Sequence, residues 1–155
     1  MEKEADEFLT RAHIFYLATA DDEGAAHVRP FGAHVFRNGH LYFMTSKYKD
    51  VYRQIKAHPD VEICGYSDGS WIRLSGRAEF CEDPETKKAF LAGSPKRVRT
   101  YFKMPKFVQK LMAKKVPGIR NMFNPDRDLM EDMAVFTLKD PKATIYSMHE
   151  EKREL

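Results

Sequence analysis

The sequence predicts a mainly β domain with peripheral helices (α+β), six to seven antiparallel strands closed or nearly closed into a barrel. Three observations carry this. Short β-branched and aromatic runs recur along the chain, separated by tight-turn signals rather than by the long crossovers that parallel strands need. One run alternates cleanly, with Ile72, Leu74, Gly76, Ala78 and Phe80 set against Trp71, Arg73, Ser75, Arg77 and Glu79, so one face is core and the other polar. The chain has 155 residues, 43% of them hydrophobic and 32% charged, with a net charge of only +3, the profile of a single soluble domain.

Residues 2 to 12 carry Ala5, Phe8, Leu9 and Ala12 at spacings of three and four, which predicts a short amphipathic helix. His13 to Ala20 is the first strand, ended by Asp21-Asp22-Glu23-Gly24. Ala25 to Phe36 reads as one extended run closed by Arg37-Asn38-Gly39-His40. Asn-Gly between apolar runs favours a type I′ turn, whose two central residues need positive φ, so Leu41 to Thr45 returns antiparallel to that run. Lys47 to Ala57 places Val51 and Ile55 four apart and stops at His58-Pro59, a helix. Val61 to Tyr66 and Ser70 to Phe80 flank Ser67-Asp68-Gly69 as a second hairpin. Pro84 to Ala92 is helical, Lys96 to Lys115 is one or two helices interrupted near Pro105, and Ala134 to Lys139 with Ala143 to Met148 completes the sheet around Asp140-Pro141.

Several function classes drop out. The N-terminus is acidic where a leader would be basic, and no uncharged stretch approaches the roughly 18 apolar residues of a membrane span. The two cysteines, Cys64 and Cys81, form no CxxC pair and read as reduced thiols, which points to the cytoplasm. Six histidines show no metal-ligand spacing. No GxGxxG or GxxxxGK[ST] loop exists, and no recognised local motif assembles a Ser-His-Asp set. Between Glu85 and Asp126 there is no acid, while basic residues recur, Lys103, Lys106, Lys110 and Lys114 stepping along one helical face. That segment reads as a solvated face, as an entrance for an anionic ligand, or as a nucleic-acid or partner patch.

Thr45-Ser46-Lys47-Tyr48-Lys49-Asp50, where a strand passes into a helix, carries the chemistry. Two lysines in a first helical turn oppose the helix dipole at a cost of about 0.3–1 kcal/mol each. A bound anion, received by the Thr45 and Ser46 hydroxyls and the free N–H groups, would reverse that sign. The competing reading has Ser46 as an ordinary N-cap and both lysines solvated. Arg29, inside Val28-Arg29-Pro30-Phe31, is costly unless paired, either to a bound anion or to a strand neighbour. The Asn38-Gly39 turn is expected to fold its strand back beside Leu41 to Thr45, so that Arg29 and the helix start meet on one phosphate.

These residues resemble a known family. His27-Val28-Arg29-Pro30-Phe31-Gly32, Asn38-Gly39-His40-Leu41-Tyr42-Phe43, Thr45-Ser46-Lys47-Tyr48-Lys49, and Val61-Glu62-Ile63-Cys64 leading to Trp71-Ile72-Arg73-Leu74-Ser75-Gly76 are similar to the pyridoxamine 5′-phosphate oxidase-like flavoproteins. The likeness runs from about Phe15 to Leu91 and resumes at Val135 to Ser147. It implies an FMN-binding split β-barrel over residues 1–155, with a basic helical insertion at about 94–124, forming a homodimer with FMN at the subunit interface. It implies that Arg29 and Lys49 hold the FMN phosphate with Thr45 and Ser46. His27, Val28, Pro30 and Met44 would lie along the isoalloxazine, and Trp71 and Arg73 would approach from the partner subunit. His27 is the one candidate acid or base, and a plain flavin contact is its other reading.

The implied activity is oxidation or reduction of a small molecule through flavin N5, with NAD(P)H or another reductant. The alternatives are a flavin or haem carrier without turnover, and a nucleic-acid or partner-binding module. Glu150 to Leu155 does not resemble the substrate-binding C-terminus of true pyridoxamine phosphate oxidases. Tyr101, Phe102, Met104, Phe107, Met112 and Met122 are candidates for an apolar pocket over the flavin, with helical core packing as the other reading.

Overall fold

The computed structural model describes residues 1–155, the side chain of Asn121 excepted. The chain runs α1 (Glu2–Ala12), β1 (Phe15–Ala20), β2 (Ala26–Phe31), β3 (His34–Arg37), β4 (His40–Ser46), α2 (Asp50–Ala57), β5 (Asp60–Ser67) and β6 (Ser70–Cys81). It continues through α3 (Pro84–Gly93), α4 (Lys96–Lys103), α5 (Lys106–Lys115), α6 (Pro117–Met122), α7 (Leu129–Asp132), β7 (Met133–Ser147) and the two-residue β8 (Arg153–Glu154). Every strand pairing is antiparallel, in the order β2-β1-β5-β6-β7-β4-β3, with β8 on β7. The sheet curls into a half-barrel, the split-barrel architecture expected.

The turn chemistry acts as the sequence indicates. Asn38 and Gly39 have φ of 51° and 87°, Asp68 and Gly69 of 51° and 75°, so both hairpins close through pairs of residues in the left-handed region. Inward residues of every barrel strand meet in one core, including Phe15, Leu17, Leu41, Phe43, Ile63, Ile72, Leu74 and Phe136. Helix α1 covers one end with Ala5, Phe8 and Leu9. His34 joins it there, 3.1 Å from Asp6 and edge-on to Phe15.

Three expectations need correction. Ala25 to Phe36 is not one strand: it breaks at Gly32-Ala33 into β2 and β3, which lie at opposite ends of the sheet. Arg29 therefore does not sit on the strand beside β4, because β2 pairs with β1 and places Arg29 opposite Leu17. Helix α2 starts at Asp50 and not at Lys47, so Lys47 and Lys49 precede the first turn, Lys49 is its N-cap residue, and the first-turn charge is acidic. The dipole conflict inferred for the two lysines is absent for that reason.

The strand around Asp140-Pro141 is continuous. A bulge lies between Ser75 and Arg77, opposite Asp140 at φ 47°. A Cβ on Gly76 would stand 3.1 Å from the Lys139 carbonyl oxygen, so glycine permits the close approach.

The split has a definite place. Strand β3 pairs only with residues 40–43 of β4, leaving Met44, Thr45 and Ser46 hydrogen-bonded to β7 alone. Across from this bare edge stands β2, paired only with β1.

Candidate anion and cofactor site

A cavity of about 450 Å³ opens at the split. Its walls come from β2 (Arg29, Pro30, Phe31), the Gly32-Ala33 connector, the bare end of β4 (Met44, Thr45, Ser46) and Lys49 before α2. Helices α4 to α6 roof it with apolar side chains, among them Val98, Tyr101, Phe102, Met112 and Ile119. The size and the mix of an apolar wall with a few convergent polar groups suit a cofactor-sized ligand.

Arg29 is held before any ligand arrives. Its Nη1 donates to the Leu17 carbonyl at 3.1 Å and to Thr19 Oγ1 at 2.6 Å, and its Nη2 donates to Gln54 Oε1 at 2.7 Å. Thr19 also donates to Gln54 at 2.7 Å. These acceptors are all neutral and use three of the five guanidinium donors, leaving Nε–H and one Nη2–H. Burial pushes the Arg29 pKa down, with Asp50 opposing. Burial likewise lowers that of Lys49, with Asp132 opposing. Among the described residues neither cation makes an ion pair, whereas Lys47 turns away to Glu82 at 3.2 Å.

Ser46 is not an N-cap. Its hydroxyl donates to the buried Asp132 carboxylate, whose other oxygen lacks a hydrogen-bond partner and lies 3.6 Å from Arg127 Nη1. The Lys47 amide donates to the Asp132 carbonyl at 2.8 Å, so α7 is clamped to the end of β4 from both sides. Asp132 puts one carboxylate at the cavity wall, shared between Arg127 at 3.6 Å and the nearby Lys49.

Of the ten residues the sequence nominates, six line the cavity: Arg29, Pro30, Met44, Thr45, Ser46 and Lys49. The other four lie outside it. His27 is exposed near the start of β2, 2.8 Å from Asp21, whose carboxyl it holds below the usual range. Val28 is 64% exposed on the outer face of the sheet. Trp71 stacks on Tyr146 at 5.2 Å, and Arg73 makes a two-pronged bond to Glu62 at 2.7 Å. Arg29 is bonded to no strand carboxylate, which removes the salt-bridge reading. In the roof, Tyr101, Phe102, Met104, Met112 and Met122 line the cavity, but Phe107 is 73% exposed and does not.

Four contributors escaped sequence reasoning. Thr19 and Gln54, both buried, orient Arg29, and each had a signal: a polar residue at core parity after Phe15 and Leu17, and one within the Val51-Ile55 stripe. Arg97, on the cavity wall, was one cation of many in the basic segment. Asp132 had no local signal, since it meets Ser46 across 86 residues.

The family model described as pyridoxamine 5′-phosphate oxidase matches residues 1–117. A NimC/NimA family protein from Clostridium acetobutylicum is similar in structure, with 28% identity, a TM-score of 0.71, and coverage of 99% of this chain and 90% of that one. A pyridoxamine 5′-phosphate oxidase-related, FMN-binding protein from Nostoc punctiforme shares the fold at 18% identity and TM-score 0.62, covering 98% and 86%. A heme binding protein from Mycobacterium smegmatis does so at 17% and 0.63, this chain covering only 57% of it. Among curated proteins none matches. No helix among the described residues is long and apolar enough to cross a membrane, and no group of three His, Cys, Asp or Glu side chains is assembled there.

Proposed function

The chain belongs to the pyridoxamine 5′-phosphate oxidase family, and from that premise we propose that it is an FMN-dependent oxidoreductase acting on a small molecule, without being a true pyridoxamine phosphate oxidase. The observation that carries the proposal is the pair of part-buried cations, Arg29 and Lys49, that share a cavity and have no carboxylate bound to them. Desolvated charge without a partner is expensive, and a phosphate supplies the missing partner. Thr45 adds a hydroxyl, and the roof helices add apolar side chains to a chamber of cofactor size.

In this reading Arg29 binds with its two remaining donors, pre-oriented by Leu17, Thr19 and Gln54, so little rotamer freedom is lost on binding. Lys49 adds charge at the head of α2, where the first N–H groups also face outward. Ser46 holds Asp132 in place, and its own proton is committed to that carboxylate. Bound flavin supplies electron transfer through N5, and the protein supplies orientation, charge and exclusion of water. Pro30 and Met44, on the cavity wall, would lie along the ring system.

His27, Val28, Trp71 and Arg73 reach a flavin only from a second copy of the chain. The outer sheet face that carries three of them also exposes Tyr16 (49%), Val28 (64%) and Tyr66 (60%), an apolar surface suited to a homodimer. The reductant is NAD(P)H or an equivalent, and the compartment is the cytoplasm. A flavin or haem carrier is the second reading, favoured by the fold shared with the mycobacterial heme binding protein.

Purified protein titrated with FMN tests the proposal. Uptake with quenched flavin fluorescence, lost in Arg29→Ala and Lys49→Ala, is the expected result. Protein that takes up no FMN refutes it. Reduction of the bound flavin by NADPH, NADH or another biological reductant such as reduced ferredoxin, then reoxidation by an added acceptor, marks an enzyme; a flavin that none of these reduces marks a carrier.

A further inference from the structure

The cavity holds one cation more than a cofactor phosphate needs. Arg97 of α4 lines it from the roof side, and among the described residues it makes neither an ion pair nor a side-chain hydrogen bond. Its Nη2 reaches to within 3.7 Å of where a Gly32 Cβ would stand, so the guanidinium lies over the connector between β2 and β3. Arg29 is anchored below by Thr19 and Gln54, and Lys49 stands near Asp132. Arg97 has no such tie, and it is exposed, free to meet an incoming molecule.

We propose that Arg97 is the anion-recognition residue for the second ligand of this cavity, a flat apolar molecule carrying a single carboxylate. The inference rests on the flavin reading for what fills the Arg29–Lys49 end. The charge count selects the class. Three cations, Arg29, Lys49 and Arg97, line the cavity against one carboxylate, Asp132, which is itself ion-paired to Arg127 outside the lining at 3.6 Å; counting that pair as neutral, a phosphate monoester of about −1.5 to −2 near neutral pH matches two of the three. One positive charge is left over, which suits a carboxylate and not a second phosphate. The planar guanidinium receives a carboxylate with two parallel N–H donors. The neighbouring roof presents the aromatic Tyr101 and Phe102, the Met104 thioether and the aliphatic Val98, a surface that takes flat rings.

The test uses FMN-loaded protein and a matched pair of probes, 2-naphthoate and 2-naphthamide, followed by naphthalene fluorescence and by the flavin spectrum. The wild-type protein is expected to bind naphthoate about tenfold more tightly than the amide. Arg97→Gln should erase that preference while leaving the amide and FMN affinities within about twofold, and Arg97→Lys should restore part of it. Inorganic phosphate should compete poorly.

Equal binding of the two probes by wild type, or a preference that survives Arg97→Gln, overturns the proposal. So does loss of FMN affinity in Arg97→Gln to the extent seen in Arg29→Gln, which would make Arg97 a cofactor ligand. Phosphate competing as well as naphthoate overturns the carboxylate assignment in favour of a phosphorylated ligand. If the protein takes up no FMN, the flavin reading fails, and the same naphthoate titration on flavin-free protein still decides the role of Arg97.

Discussion

Gln54→Glu separates two roles that Arg29 could have. Gln54 is 8% exposed, and its Oε1 receives both Arg29 Nη2 and the Thr19 hydroxyl at 2.7 Å. Glutamate keeps the shape and both bonds, but adds a charge against the guanidinium. Bonds to charged groups contribute about 1.5–3 kcal/mol against about 0.5–1.5 for neutral ones, and desolvation of the new carboxylate takes back much of the difference. Stability should therefore stay within about 1 kcal/mol of wild type.

The anion site should suffer instead. A unit charge roughly 8 Å from another interacts by about 2 kcal/mol at an effective dielectric constant near 20. Screening at the open cavity reduces this by about half, and a phosphate carries more than one charge, so FMN should bind about tenfold more weakly. Gln54→Leu is the complementary variant. It strands Arg29 Nη2–H and the Thr19 hydroxyl in a part-buried setting and should cost about 2–3 kcal/mol. Urea midpoints at constant m and FMN titration by fluorescence quenching read both quantities. A Gln54→Glu protein as stable as wild type that binds FMN equally well would refute the idea that Arg29 is held there to receive an anion.

Other outcomes follow from the same structure. Burial lowers the pKa of His34, with Asp6 opposing, so the unfolded chain binds the extra proton first on acidification. Stability from this residue is present above the ordinary histidine pKa of about 6.5 and falls as the pH drops through the lower native value; thermal melts of wild type and His34→Phe should diverge there. Burial of Lys49 puts its native pKa below the ordinary lysine value, so flavin-free protein should gain stability as pH rises across that interval, while FMN affinity, which needs the charge, declines. Lys49→Met should flatten both curves in paired melts and titrations. A Cβ on Gly93 would lie 2.7 Å from Val35 Cγ1, so Gly93→Ala should cost about 1–3 kcal/mol in urea unfolding, and a change below about 0.5 would show that α3 shifts freely.

What the sequence made legible was local. The turns at Asn38-Gly39 and Asp68-Gly69 impose their geometry on two residues each, and the alternation after Ser70 follows from the pleat, so both could be read directly. The break at Gly32-Ala33 could not, because apolar residues continue on both sides and only the curl of the whole sheet makes the chain change edges there. Arg29 stands out by its cost in an apolar run whichever strand lies beside it, whereas its expected meeting with the helix start rested on a pairing with β4 that β2 does not make. Its fixings through Thr19 and Gln54 had visible but weak signals, while the Ser46–Asp132 contact joins segments that no local rule relates.

The short reach of β3 has a consequence for the life of the protein in the cell. Because β3 stops opposite Phe43, the bare end of β4 and the strand carrying Arg29 share no strand pairing, and a ligand seated between them would touch both. A ligand seated there adds to folding stability by mass action, about 2.7 kcal/mol when it is present at a hundred times its dissociation constant. Protein abundance would then follow cofactor supply: chains made in a flavin-starved cell would open at this seam more often and be degraded sooner, and those in a replete cell would persist.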